Sequence, residues 1–453
     1  MSDERLALIA RYHALLSEGD APAEWAQMQA GMADRHLTFG SRPICTVLRP
    51  LLVTRRDYDA VQRASTLLFG ALTTLYRWLM SDDELRRQAG LPAVAEAALH
   101  VEPGYDSPDG IGRLDGFFTT EGQIQFVEYN ADSPGGLLFG HELAELFEQL
   151  PTMRRFQQAY PIQMPKVADR ILTTLLQHYR LWGGQAERPT IAIVDWEGQG
   201  TANEFLIAQT RFERAAYPTV ISHPGALSLR NGRLWDALSG QAIDIVYKRV
   251  LVGELLAQLG LENVLTEAMR QRAACVVNSY RAQLLFQKSL FAMLSEWADS
   301  PRFTADQQRA IHDHLPWSRL LREGETTFKG ERIDLLPWLI DHQQELVLKP
   351  NSEYGGKGVL LGWECDATTW HDSLHEALAS GRPYIVQRRI HVRTESFPFM
   401  HEGSLRFEPR FADIDPYLFA GHGIEGAGAR LGSSGLLNVT AGGGSAVPVA
   451  VVG

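Results

Sequence analysis

Residues 345–363 read Glu-Leu-Val-Leu-Lys-Pro-Asn-Ser-Glu-Tyr-Gly-Gly-Lys-Gly-Val-Leu-Leu-Gly-Trp. Two apolar runs flank a polar, glycine-rich turn, a pattern that predicts a β-hairpin. Lys349 ends the first run, and Lys357 follows Gly355 and Gly356 in the turn. Glycines let backbone N–H groups approach an anion closely, and two ammonium groups add positive charge at the same place. The stretch predicts a phosphate-binding hairpin, and a surface hairpin with solvated lysines is the alternative.

Two strand-like runs upstream predict a second β-hairpin: RLDGFFT (113–119) and QIQFVEYN (123–130). Residues two apart on a strand share a face, so Asp115, Glu128 and Asn130 can converge. Oxygen ligands of this kind suit Mg²⁺, and Arg113 would project from the same face as an extra cation. A solvated face of cross-strand ion pairs is the alternative. The polar turn YNADSPGG (129–136) that follows favours a functional site.

A third feature is the apolar strand YIVQRRI (384–390), which contains Gln387 and follows the lysine hairpin. A side chain at such a strand end can offer hydrogen-bonding groups to the edge of an adenine ring. Apolar neighbours such as Val347 and Ile385 would then pack against the ring faces. A core strand capped by charged residues is the alternative.

The rest of the sequence predicts a mixed α/β chain. Apolar residues at helical spacing dominate the first hundred residues, apart from a strand-like run at 44–53. Strands alternating with helices further on predict a parallel sheet, and the last part alternates strand-like runs with one helix. We expect four regions: a helical N-terminal lobe (1–100), the second hairpin with helices (101–184), a parallel α/β domain (185–280), and nucleotide-binding lobes with a glycine-rich tail (281–453).

Composition narrows the function classes. The 453 residues are 45% hydrophobic and 21% charged, as in an ordinary globular protein. The net charge of −11 argues against nucleic acid or an anionic membrane as the main partner. Cys45, Cys275 and Cys365 form no CxxC pair, which argues against structural zinc and a disulfide framework. The first residues lack a signal-peptide core, and the apolar stretch 67–80 is too short to span a bilayer, so we expect a buried helix there and a cytoplasmic protein.

Several common catalytic signatures fail on inspection. The sequence GGKG is not a Walker A loop, because position 351 is Asn and no Ser or Thr follows the lysine. HELAE (141–145) lacks the second histidine of a zinc protease, and GxSxG is absent. GAGARLG (426–432) misses the dinucleotide-binding spacing. Simple hydrolase, zinc protease and Rossmann functions are therefore not expected.

Taken together, the two hairpins and the Gln387 strand resemble the circularly permuted ATP-grasp proteins related to glutathionylspermidine synthetase. The usual ATP-grasp order places the lysines first and an acidic-x-Asn metal site last. Here Glu128-x-Asn130 precedes Lys349, which is the order that a circular permutation produces. The resemblance extends from about Arg113 to the C-terminus. It implies a circularly permuted ATP-grasp fold of α/β class with α+β lobes and a helical N-terminal lobe.

The resemblance also implies roles for single residues. Asp115, Glu128 and Asn130 would hold Mg²⁺, and Arg113 would stabilise the transferring phosphoryl group or a tetrahedral intermediate. The ATP phosphates and adenine would be bound by the following residues: Lys349, Lys357, Gly355, Gly356, Gln387 and, as a further phosphate contact, Lys288. Lys288 lies in a predicted long helix (279–297), where a solvated helix lysine is the ordinary interpretation. The glycine-rich stretch 438–444 resembles the tail of these proteins and is given no role.

The implied activity is that of an ATP-dependent carboxylate–amine ligase that works through an acyl phosphate. Its partners would be a small-molecule or peptide carboxylate and an amine. A small-molecule kinase and a non-catalytic nucleotide-binding protein are the alternatives. The chain departs from true glutathionylspermidine synthetases, because it shows no N-terminal cysteine amidase domain and its phosphate hairpin lacks their arginine, so glutathione and spermidine are not expected.

Two further groups follow from position alone. Glu204 lies after the strand-like run TIAIVDW (190–196) and is a candidate general base, with an ordinary helix glutamate as the alternative. The strand end Tyr247-Lys248-Arg249 is a candidate carboxylate-binding site, or equally a charged strand terminus.

Overall fold

The structure is a computed structural model that describes residues 3–420, 423–434 and 444–453. Its α-helices are α1 Asp3–Glu18, α2 Ala21–Asp34, α3 Arg55–Met80, α4 Asp83–Arg87, α5 Ala93–Ala98, α6 Leu137–Phe147, α7 Pro151–Gln157, α8 Ala168–Trp182, α9 Ala202–Arg214, α10 Val252–Leu259, α11 Val264–Arg270, α12 Ala282–Leu285, α13 Ser289–Glu296, α14 Ala305–His314, α15 Leu335–Asp341 and α16 Ala367–Ala379. Short 3₁₀ turns lie at Pro224–Ala226, Gln343–Glu345 and Gly362–Glu364. No helix in this part of the chain is long and apolar enough to cross a membrane.

The strands are β1 Thr38–Phe39, β2 Arg42–Pro43, β3 Leu51–Thr54, β4 Ile111–Phe118, β5 Ile124–Asn130, β6 Ile162–Gln163, β7 Ile191–Val194, β8 Thr219–Ser222, β9 Leu227–Arg230, β10 Arg233–Asp236, β11 Ala242–Ile243, β12 Ile245–Lys248, β13 Cys275–Val277, β14 Ser318–Leu320, β15 Glu325–Phe328, β16 Glu331–Asp334, β17 Leu346–Pro350, β18 Leu360–Leu361, β19 Tyr384–Arg388, β20 Glu395–His401, β21 Ser404–Ala412, β22 Asp415–Phe419, β23 Gly423–Gly432 and β24 Gly444–Val452. With the helices they form a mixed α/β structure with several sheets.

The N-terminal part is helical, and α3 is its long buried helix. Thr54 caps α3, because its hydroxyl accepts the N–H of Asp57 at 3.1 Å. The buried leucines of α3 confirm the helix predicted over 67–80. The strand-like run at 44–53 is shorter than predicted: only β3 forms, pairing in parallel with β24. Pro50 has no N–H to donate to a sheet, so the strand begins after it.

The predicted parallel sheet is present, in the order β13-β12-β7-β8. Strands β7 and β12 are buried throughout, which explains why their sequences are continuous apolar runs. Parallel strands direct their carboxyl ends to one edge. Asp195, Arg249 and Asn278 follow three of these ends, at the edge where α/β sheets place ligands.

The predicted second hairpin is β4–β5, with Arg113 opposite Asn130 and Asp115 opposite Glu128. Strands from the C-terminal part complete its sheet, in the order β20-β21-β23-β22-β4-β5, and β24 pairs with β23. Tyr417 of β22 lies opposite Arg113. Gly428 of β23 has to be glycine, because a Cβ there would collide with the Tyr417 hydroxyl. The last strands of the chain therefore lie next to the second hairpin, β4–β5.

The lysine hairpin is also present, as β17 paired with β18 within the antiparallel order β14-β19-β17-β18. The helix predicted after it is α16, which buries Trp370 and Leu374. The predicted tail splits: part of it is strand β23, and residues 438–443 of the glycine-rich stretch lie outside the described residues.

The long helix predicted over residues 279–297 is wrong. The segment 279–297 forms α12 and α13, with Lys288 at the break. Asn351 holds this break, because its backbone oxygen accepts the Lys288 N–H at 3.1 Å and its Oδ1 accepts the Ser289 N–H at 2.7 Å. The segment 153–181 forms α7 and α8, separated by β6 and by Pro161 and Pro165, which cannot continue a helix.

Asn278, at the end of β13, fastens the parallel sheet to the second hairpin. It is 3% exposed, and its Oδ1 accepts the N–H groups of Gly110 and Ile111 at 2.8 and 3.0 Å. Its Nδ2 donates to Ile111 O at 2.7 Å and also to Ala131 O. One buried amide therefore satisfies backbone groups at the start of β4 and just after the end of β5.

We predict that Asn278→Ala lowers the free energy of unfolding by about 3 kcal/mol, because it leaves several buried backbone groups unpaired. Denaturant titration measures this loss. Asn203→Ala is the matched control: Asn203 is half-buried and bonds only to Thr38, so its loss should cost about 1 kcal/mol. Equal effects of the two variants would contradict the role given to Asn278.

Candidate active site

A cavity of about 900 Å³ lies where the two hairpins, the Lys288 segment and the edge of the parallel sheet meet. This volume is typical of small-molecule sites. The ten residues that the family resemblance assigns to the site all line it: Arg113, Asp115, Glu128, Asn130, Lys288, Lys349, Gly355, Gly356, Lys357 and Gln387. Sequence positions as far apart as 113 and 387 thus contribute to one cavity.

Two buried ammonium groups, those of Lys288 and Lys349, lie in this cavity. Lys288 is 6% exposed; its Nζ lies 3.1 Å from Glu128 Oε2 and donates to the backbone oxygen of Glu353 at 2.6 Å. It is therefore not the solvated helix lysine of the ordinary interpretation. Burial lowers the pKa of Lys349 to about 8; Glu128 opposes this shift, and Lys288 adds to it. Two closely placed cations with few protein anions around them suit an anionic ligand.

Gln387 is 1% exposed and uses its amide inside the protein. Its Oε1 accepts from Lys349 Nζ at 2.6 Å, and its Nε2 donates to Ser318 Oγ at 3.1 Å. This geometry makes Gln387 a support for Lys349, whereas the sequence suggested a contact with adenine. Val347 lines the cavity, but Ile385 is fully buried away from it, so the predicted pair does not form the two faces of an adenine pocket.

The turn of the lysine hairpin lies at the mouth of the cavity. Gly355 and Gly356 have φ of +63° and +75°, a region that disfavours side chains, so the turn requires glycine. Lys357 is exposed and lies 3.5 Å from Glu353. Of the two predicted hairpin lysines, only Lys349 is buried in the site. Lys357 is free to change its contacts when a ligand arrives.

Asp115 lies between two arginines. Its Oδ1 accepts from Arg113 Nε at 2.7 Å, and its Oδ2 accepts from Arg430 at 2.7 Å. Burial acts to raise the pKa of this carboxyl, but the two guanidinium groups outweigh burial and hold the pKa well below its usual range. Asn130 Nδ2 also donates to Asp115 Oδ1, at 3.0 Å, which leaves the Asn130 oxygen for other partners. Both oxygens of Asp115 thus accept from protein donors in this structure, and the metal-ligand role of Asp115 stays a prediction.

Sequence reasoning missed Asp413, Asp415 and Arg430. Arg430 Nε lies 2.7 Å from Asp413 Oδ2 and 3.1 Å from Asp415 Oδ2, and Asp415 and Arg430 line the cavity. Burial raises the pKa of Asp413 to about 6 and that of Asp415 well above its usual range, although Arg430 acts against both shifts. The Asp-Ile-Asp spacing at 413–415 was the available signal, since alternate residues of a strand share a face.

The carboxyl edge of the parallel sheet contributes Arg249. Arg249 is buried and lines the cavity; it donates to the Tyr247 hydroxyl at 3.3 Å and lies 3.9 Å from Glu204. Lys248 points elsewhere, into a buried ion pair with Asp132. Of the strand end 247–249, Arg249 alone supplies a guanidinium group to the cavity.

Glu204 is not placed as a general base. Its two carboxylate oxygens accept the N–H groups of Gly136 and Leu138, at 3.0 and 2.9 Å, at the start of α6. Unpaired N–H groups at a helix start favour such a carboxylate. The function of Glu204 in this structure is to fix the start of helix α6.

Tyr354 fastens the glycine turn to the parallel-sheet side of the cavity. The Tyr354 hydroxyl donates to Glu254 Oε1, on helix α10, at 2.8 Å, although the Tyr354 ring is itself exposed. The Tyr354 hydroxyl therefore links residues 354–357, at the cavity mouth, to helix α10.

We predict that Tyr354→Phe speeds amide hydrogen exchange in residues 352–358 with little change in global stability, since one exposed hydrogen bond contributes about 1 kcal/mol. Exchange followed by mass spectrometry measures the effect. Glu254→Gln, which weakens the same contact from the other side, should act in the same direction. Unchanged exchange in Tyr354→Phe would show that other contacts hold the turn.

Comparisons with known proteins place the fold. No known family profile matches the chain. The structure is similar to a solved structure titled a glutathione synthetase-like effector from Globodera pallida, with a TM-score of 0.59 and 12% sequence identity. The match covers 95% of this chain and 93% of that chain. The fold is glutathione synthetase-like. A curated protein of Frankia casuarinae, carrying the provisional name glutamate–cysteine ligase 2-2, is 24% identical over 213 residues. The match spans 45% of this chain but only 23% of that protein.

Proposed function

We propose that the chain is an ATP-dependent carboxylate–amine ligase on a circularly permuted ATP-grasp fold. The observation that carries this proposal is the single cavity that gathers two buried ammonium groups, the Glu128 and Asn130 oxygens, and the guanidinium groups of Arg113, Arg249 and Arg430. The glutathione synthetase-like fold and the ligase name of the Frankia protein support the same class.

The donor set fits ATP with Mg²⁺. Lys288 and Lys349 offer buried cations for phosphate oxygens, and the Gly355-Gly356 turn offers backbone N–H groups. Glu128 and the free oxygen of Asn130 would hold Mg²⁺, which takes few protein ligands and completes its coordination with water and phosphate. Among the described residues no group of three or more His, Cys, Asp or Glu is placed to hold a metal ion. ATP would supply the phosphoryl group that activates the carboxylate.

The residues of the chain position and neutralise the reacting groups. Lys288 and Lys349 would offset negative charge that develops on the transferring phosphoryl group. Arg113, held by Asp115, would orient the substrate carboxylate and later stabilise the oxyanion formed at its carbon. The turn at 354–357 would exclude water, which hydrolyses an acyl phosphate.

The glutamate–cysteine ligase name suggests first substrates, L-glutamate as carboxylate and L-cysteine as amine. Arg249, buried with one hydrogen bond and one long ion pair, would bind a second carboxylate of an amino-acid substrate. The pocket therefore favours amino acids or short peptides over simple alkyl acids.

We expect phosphate release from ATP with Mg²⁺ when a pool of the twenty L-amino acids, including glutamate and cysteine, is supplied, with an amide found by mass spectrometry. Lys349→Met and Glu128→Gln should remove this turnover. ATP with Mg²⁺ should raise the melting temperature of the wild type, since a ligand at 100 times its Kd adds about 2.7 kcal/mol.

The product distinguishes the alternatives. A stable phosphorylated amino acid in place of an amide would show that the protein is a kinase. A melting shift without turnover on any of these substrates would assign a nucleotide-binding protein. Absence of any shift by ATP with Mg²⁺ would remove the nucleotide site itself.

We predict that ATP affinity falls as pH rises through about 8, because Lys349 has its pKa lowered to about 8 and its ammonium form is the one that binds phosphate. Calorimetric titration between about pH 7 and about pH 9.5 brackets this value and stays below the ordinary lysine pKa. Lys349→Met should bind about tenfold or more weakly at the lower pH and show no such fall. Lys357→Met should keep the fall, because Lys357 is exposed. A pH-independent wild type would contradict the role of Lys349.

A further inference from the structure

The proposed ligase requires a group that accepts a proton from the attacking amine, and the sequence suggested only Glu204. The hydrogen bonds of Glu204 to Gly136 and Leu138 occupy both of its oxygens. Glu254 receives the Tyr354 hydroxyl, and Asp115 is held by two arginines. Asp115 and Glu254 lie on the cavity wall and already have partners, whereas Glu204 does not line the cavity.

Asp415 differs from Asp115 and Glu254 in having a buried oxygen without a hydrogen-bond partner among the described residues. It is 2% exposed and lines the cavity at the start of β22. Its Oδ2 lies 3.1 Å from Arg430 Nε, whereas its Oδ1 is buried without a hydrogen-bond partner among the described residues. Burying an oxygen with no partner costs free energy, so such an atom in a cavity wall points to a ligand that supplies the missing donor.

Contacts join Asp415 to the reacting end of the site. Arg430 binds Asp415 on one side and Asp115 on the other, at 3.1 and 2.7 Å. Asp115 in turn holds Arg113 and lies opposite Glu128, the partner of Lys288. Asp415 thus belongs to the same ion-pair cluster as Arg113, the residue proposed to hold the substrate carboxylate and its oxyanion.

We propose that Asp415 Oδ1 accepts the N–H proton of the amine nucleophile as it attacks the activated carboxylate. This inference rests on the proposed ligase function. The amine nitrogen forms the new C–N bond, its proton passes to Asp415, and the bond between the carbonyl carbon and the phosphate oxygen breaks to release inorganic phosphate. Asp415 then loses the proton to solvent, which restores the carboxylate.

The surroundings of Asp415 fit this role. Burial raises the pKa of Asp415, and the charged or titratable groups that face it are Arg430 and Asp413 near its own sheet edge, Arg113 and Asp115 on β4, and Tyr417 on β22. A carboxylate of raised basicity is a better proton acceptor than a solvated one. Asp195 also lines the cavity, but it already accepts the Trp196 N–H at 2.8 Å, and among the described residues it makes no hydrogen bond or ion pair with Arg113 or Arg430.

The test compares Asp415→Asn with the wild type on two nucleophiles, using ATP, Mg²⁺ and the pool of L-amino acids as carboxylates. Asn keeps the shape and can still accept a hydrogen bond, but it cannot take a proton. We expect amide formation with amino-acid amines to fall about 10²–10⁴-fold in kcat, the usual contribution of a general base. Hydroxylamine is far less basic and is unprotonated at neutral pH, so hydroxamate formation should stay close to the wild-type rate.

Asp413→Asn is the matched control. It removes the same charge beside the same arginine, but Asp413 does not line the cavity and both its oxygens accept from Arg430. It should change amide and hydroxamate formation to the same extent. The melting shift produced by ATP with Mg²⁺ should persist in Asp415→Asn, which shows that the variant folds and keeps the nucleotide site.

The outcomes separate the two proposals. A wild type that forms neither amide nor hydroxamate removes the ligase function and the role of Asp415 with it. An active wild type with equal losses of amide and hydroxamate in Asp415→Asn, or a selective loss in Asp195→Asn instead, overturns the role of Asp415 alone.

Discussion

Asp115 pairs with Arg113 on its own strand and with Arg430 on strand β23, 315 positions further along the chain. The ion pair with Arg430 joins the second hairpin, β4–β5, to β23. Asp115 is buried and the two arginines are half-buried, and a buried charge without a partner costs several kcal/mol. Strand β23, which carries Arg430, must therefore lie at a fixed separation from β4, which carries Arg113 and Asp115. Since Asp413 and Asp415 also contact Arg430, the same constraint fixes the start of β22 and the wall of the cavity. Removal of Arg430 would leave three buried carboxylates, those of Asp115, Asp413 and Asp415, without this partner.

The opposite side of the cavity depends on Asn351 and Lys288 in a similar way. Asn351 interrupts what would be one helix and turns Lys288 inward, so the lysine reaches both Glu128 and the backbone of Glu353. The two hairpins are thus connected through one ammonium group. A phosphate that replaced Glu128 or Glu353 as the partner of Lys288 would loosen this connection, which offers a physical route from nucleotide binding to movement of the glycine turn.

The proposed chemistry needs few covalent contributions from the protein, which agrees with the composition of the cavity. The cavity wall carries both cations and carboxylates, and several of these carboxylates are paired with its cations. Asp415 keeps one buried oxygen, Oδ1, without a hydrogen-bond partner among the described residues. We expect such a site to bind anions through its cations and to contact the amine at the part of the cavity wall that contains Asp415.

The sequence by itself determined the local elements. Strand-like runs on either side of a turn predicted both hairpins, and strands alternating with helices predicted the parallel sheet. The ten residues that the family resemblance assigned to the site all line one cavity. Their partners could not be predicted in the same way. Gln387 supports Lys349, Asp115 is held by arginines, Glu204 caps helix α6, and Lys288 lies at a helix break. Each of these depends on a residue far away in the chain, such as Arg430 or Asn351. Periodicity reports which side of a strand or helix a residue faces, because that is a property of neighbouring residues. Which charge meets which, and which oxygen is left without a partner, is decided only when separate strands pack together and exclude water.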